Sequence, residues 1–152
     1  MTTTAFHRTA LATVDRVISP TLDTFRLFLH SLAATIWVGG QFALAGVVPV
    51  LRKEAPEATK AVARAFARLA WPAFAVLVVT GMWNLAEVDV SSTSTSYQVT
   101  VFVKVVVALV AATAVAIHSI GKSRVALALG GAVGALASLA ALFLGVLLRT
   151  GS

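Results

Sequence analysis

Two ionisable side chains, His30 and Lys104, lie inside long apolar segments of this sequence, and none of those segments contains Asp or Glu. A lysine in hydrocarbon without a carboxylate partner is costly, so such a residue by default marks a functional site. A neutral imidazole can bind a metal ion, including haem iron, and a neutral amine can also act as a ligand. The pair therefore predicts a buried ligand-binding or metal-binding site.

Other polar groups share a helix face with His30. Arg26, Trp37 and Gln41 follow spacings of four and seven residues, which place them on the same side of a helix as His30. Lys104 lies in a similar stripe of the third apolar segment. These faces hold most of the polar groups of their helices, so we expect both to point into the protein interior.

The predicted depths of His30 and Lys104 agree. Each lies about six residues after the start of its helix, which is roughly 9 Å at 1.5 Å per residue. On an oppositely directed second helix, Thr80 and Gly81 fall at that level. These small residues, with Ala108 on the third helix, would leave room for a bulky, flat group.

Haem is the cofactor that we expect at this level, because a neutral imidazole binds haem iron and a helix-bundle core is a common place to hold a cofactor. His30 is the predicted axial ligand of the iron. Lys104 is predicted as the sixth ligand or as the partner of a haem propionate, and Arg26 as a second contact for that anionic group. Trp37 is expected to pack on the porphyrin edge, and Thr80 and Gly81 are expected to line the cofactor site at the level of His30.

Two alternatives remain open on the same residues. Copper could bind His30 and His118 along a path through the membrane, and His118 could equally be an interfacial histidine. A cofactor-free scaffold subunit of a larger membrane complex is the other alternative. In that case His30 bonds a backbone carbonyl, and the Lys104 amine extends outward to the membrane surface.

The helices that must position these residues are four long apolar runs. Each exceeds the roughly 20 residues that a helix needs to cross a bilayer. We expect spans at 24–50, 61–86, 98–120 and 124–148. Short connections favour neighbouring helices of opposite direction, so the predicted fold is all-α: an integral membrane, antiparallel four-helix bundle.

One transmembrane domain is expected over residues 24–148. Residues 1–23 form a polar N-terminal segment, in which 10–19 are predicted to make a short interfacial helix that ends before Pro20. The stretch 91–96 is rich in Ser and Thr and is predicted to be irregular.

Composition supports the bilayer as the solvent, since 59% of the 152 residues are apolar and 12% are charged. The net charge of +6 comes from basic residues beside the apolar runs, which indicates membrane topology and not nucleic acid binding. The side with the first and third loops carries Arg52, Lys53, Lys60, Arg64, Arg68, Lys122 and Arg124. The opposite side carries Arg8, Arg16, Arg26 and Arg149. The excess predicts a multi-pass protein of the inner or plasma membrane with both termini on the non-cytoplasmic side.

A seam of small residues lies in the fourth segment: Gly130, Gly131, Gly134 and Ser138. Such seams allow two helices to approach closely. The seam predicts tight packing within the chain, with a homodimer contact as the alternative.

Several other chemistries lack their residues. The sequence has no cysteine, no paired carboxylates within the apolar segments, no glycine-rich phosphate loop and no nucleophile elbow. The only methionines are Met1 and Met82, so a methionine-rich copper site is not expected either.

The string His30-Ser-Leu-Ala-Ala-Thr-Ile-Trp37-Val-Gly39-Gly40 resembles the first-helix motif of the copper-resistance D-like (CopD-like) four-helix membrane family. Arg68-Leu-Ala, Thr80-Gly81 and the lysine near the start of the third helix extend that resemblance over roughly residues 25–125. The same pattern is similar to the HemJ-type, haem-containing protoporphyrinogen oxidase family.

The second resemblance implies haem b at the positions of His30 and Lys104. After Trp37 this chain departs from the oxidase pattern with Gln41-Phe-Ala-Leu-Ala, so only haem binding is carried over. We therefore predict a membrane haem b protein with a redox or electron-transfer role, which includes that of a membrane oxidoreductase. Its expected partners are the lipid bilayer and a quinone or a redox protein.

Overall fold

A computed structural model describes residues 20–151. The expected interfacial helix at 10–19, together with His7, Arg8 and Arg16, lies outside the described residues. Four long helices fill the described part: α1 Leu22–Glu54, α2 Thr59–Ala86, α3 Thr95–Ile120 and α4 Arg124–Thr150. Each is long enough and apolar enough to cross a membrane. The expectations of an all-α chain and of four long apolar helices are confirmed over these residues.

Three of the four helices, α1, α3 and α4, begin after polar residues that cap them. The Thr21 side chain accepts a hydrogen bond from the Thr24 amide at 3.2 Å, and Ser94 and Ser123 cap α3 and α4 in the same way. Such caps satisfy amides that have no partner within the helix. Because Ser94 caps α3, the last two residues of the predicted irregular stretch 91–96 belong to the helix instead.

The α1 helix contains a π-helical segment, Thr35–Gly39, at its middle. A π segment inserts extra backbone into one turn and changes the rotation between the two halves of a helix. This irregularity was not predicted from the sequence, although two consecutive glycines, Gly39 and Gly40, lie at the end of the segment.

The helices pack mainly as two hairpins, α1 with α2 and α3 with α4. In the first hairpin His30 contacts Thr80, and Gly40 lies against the Phe66 ring further along. In the second hairpin, Gly130 lies against the backbone of α3 at Ala114 and His118. The three glycines of the small-residue seam therefore pack against α3 within the chain, whereas its Ser138 contacts α1.

The two hairpins meet at the π segment. The Trp37 indole nitrogen donates a hydrogen bond to the Ser138 hydroxyl of α4 at 3.0 Å, and the Gln41 amide donates to the same oxygen at 3.2 Å. Trp37 and Ser138 are both only 3% exposed. A small buried cluster of Trp37, Val38 and Ala70 surrounds this contact.

Large apolar side chains cover the outer faces of all four helices. Phe28, Val79 and Phe143, for example, are each more than half exposed. A water-soluble domain of this size would bury most such side chains, so these surfaces suit contact with lipid.

Candidate functional site

His30 is held by α2. Its Nδ1 atom lies 2.9 Å from the Thr80 hydroxyl oxygen, and Thr80 is 3% exposed. A side chain on Gly81 would meet the imidazole, since a Cβ atom there would lie 3.4 Å from His30 Cε1. The sequence-predicted neighbours Thr80 and Gly81 are therefore in direct contact with His30.

The Thr80 hydroxyl determines which nitrogen of His30 carries a proton. That hydroxyl donates its one hydrogen to the Val76 carbonyl at 2.6 Å, so towards His30 it can only accept. Nδ1 must then be the protonated nitrogen of the neutral ring. The lone pair is left on Nε2, which is the arrangement of a metal-binding histidine oriented by a second hydrogen bond.

Lys104 lies at the same level from the opposite side. A Cβ atom on Gly145 of α4 would lie 3.2 Å from the Lys104 amine, so the side chain uses the space that this glycine leaves. His30 lies about 10 Å along α1 from Trp37, and Gly145 lies about 10 Å along α4 from Ser138, the residue that Trp37 contacts. These equal distances place the Lys104 amine level with His30. The site therefore combines an imidazole lone pair with a nearby amine.

Arg26 has partners that the sequence analysis did not identify. Its guanidinium lies 3.0 Å from Asp23 and 3.4 Å from Glu87 at the end of α2, and it also sits over the Trp83 ring at 5.8 Å. The pair with Glu87 involves the Nη1 atom of Arg26, which is close enough for an ion pair but makes no hydrogen bond. The Nε atom of Arg26 is also buried without a hydrogen-bond partner. Arg26 can therefore still donate hydrogen bonds, although Asp23 and Glu87 both pair with its charge.

Asn84 is a polar group of this region that the sequence analysis missed. It lies one turn after Thr80 on α2, and its Oδ1 atom is buried without a hydrogen-bond partner. Buried polar atoms are seldom left unpaired in native proteins, so such an atom suggests an additional partner. The four-residue spacing from Thr80 was the signal in the sequence that could have identified it.

Trp37 lies away from His30, at the joint between the hairpins. Its ring packs against Phe74, with centroids 4.5 Å apart, and meets Trp71 edge-on at 5.8 Å. Gln41 and Ser138 complete this cluster, and the sequence analysis did not predict their contact. Trp37 therefore supports the core one to two turns below the imidazole.

His118 is far from the other two candidates. Its Nδ1 atom donates to the Leu127 carbonyl at 2.6 Å, and its ring lies beside Gly131 near the α3–α4 loop. The helix rise from Lys104 to His118 is about 21 Å. The structure does not bring His118 together with His30 or Lys104.

The ligand atoms near His30 are few. Among residues 20–151, no three or more His, Cys, Asp or Glu side chains form a group that could hold a metal ion. A metal at His30 would therefore need ligands from a cofactor or from groups such as the Lys104 amine.

No family model matches this sequence, and comparisons with curated proteins and with solved structures find no significant similarity.

Proposed function

We propose that this chain is an integral membrane protein whose four helices form an antiparallel bundle, and that it binds haem b for a redox or electron-transfer role. The lipid-suited outer faces and the helix lengths support the first half. One observation carries the second half. The Thr80 hydroxyl donates to the Val76 carbonyl and so favours the Nδ1–H form of His30, in which the lone pair on Nε2 would be available to a metal.

The residues around His30 have the chemistry that this cofactor needs. His30 would be the axial ligand, and Lys104 the sixth ligand or a propionate contact. The unpaired donors of Arg26 suit a carboxylate, and Asn84 supplies an acceptor for a protonated group. Gly81 and Gly145 accommodate the His30 ring and the Lys104 amine, which a Cβ at either position would contact. When bound, haem would supply a one-electron carrier within the membrane.

The protein's own contribution is orientation and exclusion of water. Thr80 holds the imidazole plane, and the Arg26 ion pairs with Asp23 and Glu87 cover the end of the α1–α2 hairpin above it. The buried Trp37 cluster closes the space on the other side. A redox centre here would lie near one membrane face, within reach of quinone or a redox protein.

An absorption spectrum of the detergent-extracted full chain tests the proposal. We expect a Soret band that is lost in His30→Ala and retained in His118→Ala, which removes the same side chain outside the site. A colourless protein that is inserted in the membrane would contradict haem binding but not the membrane assignment. Metal analysis of such a preparation would distinguish stoichiometric copper from a cofactor-free subunit.

A further inference from the structure

Three cations form a line along α2, which we call the basic stripe: Lys60, Arg64 and Arg68. All three residues are exposed. Their four-residue spacing places them on one side of the helix, about one turn apart. A continuous line of positive charge thus runs from the start of α2 towards its middle.

The basic stripe faces away from the rest of the chain. Phe66, Phe74 and Leu77 of α2 pack against the Trp37 cluster, so they define the inner face of the helix. At 100° per residue, Arg64 and Arg68 lie on nearly the opposite face. The same outer face continues with the exposed Val79 and Met82.

The depth of Arg68 is unusual for an unpaired cation. It lies between Phe66, which contacts Gly40, and Ala70, which packs with Trp37, so it is level with the middle of α1. Along α2, Arg68 lies about 7 Å from the helix midpoint and Arg64 about 13 Å. With the helix midpoint at the centre of a bilayer whose core has a half-thickness of about 15 Å, both backbone positions would fall within the core.

No carboxylate of the described chain neutralises the stripe. The ion pairs formed within residues 20–151 are those of Arg26 with Asp23 and Glu87, and of Lys53 with Glu54. The nearest acid in sequence is Glu57, which precedes α2, and no Asp or Glu follows it until Glu87. A second copy would bring the same positive stripe and no acid at this depth.

We propose that the basic stripe binds the phosphate of an anionic phospholipid from the leaflet on the side of the α1–α2 loop. Long basic side chains reach from such depths towards the headgroups, where their charge attracts anionic lipid. The acyl chains would then lie along the apolar part of the same face, beside Trp71 and Val79. This inference rests on the membrane half of the proposed function and is independent of haem.

Lipid retention by the full chain tests the proposal. The protein is reconstituted in bilayers that contain equal amounts of phosphatidylglycerol and phosphatidylcholine with matched acyl chains. The bound lipids are then measured by native mass spectrometry. We expect the wild type to retain phosphatidylglycerol preferentially, and Arg64→Gln/Arg68→Gln to lose that preference by about tenfold or more.

Arg52→Gln/Lys53→Gln is the matched control, because it removes the same formal charge from exposed residues at the end of α1. We expect this control to stay within about twofold of the wild type. Equal losses in the two double variants would overturn the proposal, because they would show general attraction instead of a site. Arg64→Lys/Arg68→Lys should retain the preference, and a loss there would count against a charge-based site.

Further arms identify the source of the anion. Displacement of phosphatidylglycerol by millimolar inorganic phosphate would overturn the lipid assignment in favour of a free anion. Displacement of the lipid by an acidic protein would also overturn the lipid assignment, in favour of a protein partner. If Arg64→Gln/Arg68→Gln fails to fold, the wild-type preference must still fall with rising salt, and a salt-independent preference would reject the stripe.

Membrane insertion is measured first, by resistance to a carbonate wash. Release by carbonate would contradict the membrane half of the proposed function and this inference together. An inserted protein without phosphatidylglycerol preference would contradict this inference alone.

Discussion

The two helical hairpins are held together by different chemistry. Between α1 and α2 the contacts are the His30–Thr80 hydrogen bond, the Arg26–Glu87 ion pair and the aromatic packing of Trp37. Between α3 and α4 the His118–Leu127 hydrogen bond lies near the connecting loop. The rest of the contact consists of close backbone approaches at glycine, where a Cβ on Gly130 would lie 2.8 Å from the Ala114 carbonyl oxygen.

This difference separates the candidate site from its scaffold. Polar side chains on α1 and α2 orient the imidazole, whereas α3 and α4 contribute the Lys104 amine and the space at Gly145. Small-residue packing is apolar and does not depend on directional polar contacts, so it suits a scaffold in lipid. Damage to the first hairpin should therefore affect ligand binding, and damage to the second should affect stability.

The largest expected effect is from Gly130→Val. The new side chain would meet the Ala114 carbonyl oxygen at 2.8 Å and the His118 amide nitrogen at 2.9 Å, and backbone atoms cannot move aside easily. We expect a loss of about 2–3 kcal/mol in the free energy of unfolding, measured in detergent by circular dichroism.

Gly46→Val is the control for this change, because a Cβ at Gly46 meets nothing within 4 Å. It should leave the stability of the chain nearly unchanged. Equal destabilisation by the two variants would mean that glycine packing does not hold α3 against α4.

The next effect is on ligand binding, from Thr80→Val. This change removes the oxygen that accepts from His30 Nδ1 and keeps a side chain of similar shape. Loss of such an orienting partner typically weakens metal affinity by 10–100-fold. We expect haem affinity, measured by titration of the apoprotein, to fall within that range while stability changes little.

Thr113→Val provides the comparison, because the Thr113 hydroxyl also donates to a carbonyl one turn earlier, at 2.8 Å, but on an exposed face. Its haem affinity should match the wild type. An unchanged affinity in Thr80→Val would reject the assigned orientation of His30.

A smaller effect is expected at the joint between the hairpins, from Ser138→Ala. The change leaves the Trp37 indole nitrogen and the Gln41 amide without the oxygen that they share. A buried donor left unpaired costs about 1–3 kcal/mol, and we expect the lower half of that range because Gln41 also donates to the Trp37 carbonyl.

Chemical unfolding of the detergent-solubilised protein measures this loss. Ser119→Ala makes the same substitution where the hydroxyl bonds only the Val115 carbonyl on an exposed face, and it should be neutral. If the two serine variants are equally stable, the Ser138 contact does not join the hairpins.

The sequence contained more of the fold than of the site. The long apolar runs with polar ends predicted the bounds of the four helices to within a few residues, because a helix that crosses a bilayer needs a minimum length of apolar sequence. Helix rise alone was enough to place Thr80 and Gly81 level with His30. The π segment was not predictable in this way, because it depends on how Trp37 packs between the two hairpins.

Polar partners at the ends of the helices were harder to predict. Glu87 lies outside the predicted span, and its pairing with Arg26 could be predicted only if the rotation of α1 relative to α2 were known. The contacts of Ser138 with Trp37 and of Gly145 with Lys104 link residues that are distant in sequence and lie on different helices. No periodicity within one helix contains that information.

The smallest expected effect concerns the α2–α3 connection, which joins the two hairpins. The hydrogen bond from the Ser91 hydroxyl is the main cause that lowers the pKa of the Asp89 carboxyl from its ordinary value. A carboxyl with a lowered pKa stabilises the folded connection above its ordinary pKa, and this stabilisation is lost as pH falls through the folded-state value. Ser91→Ala should raise the pKa of Asp89 towards its ordinary value, as measured by NMR titration of the carboxyl carbon, while Ser96→Ala should leave it unchanged. Because Asp89 is exposed, we expect the spectrum and thermal stability of the protein to be the same in both variants at neutral pH. A change in haem affinity in Ser91→Ala would show that the α2–α3 connection is coupled to the candidate site. The connection would then belong with the α1–α2 hairpin that orients the imidazole, and not with the α3–α4 scaffold.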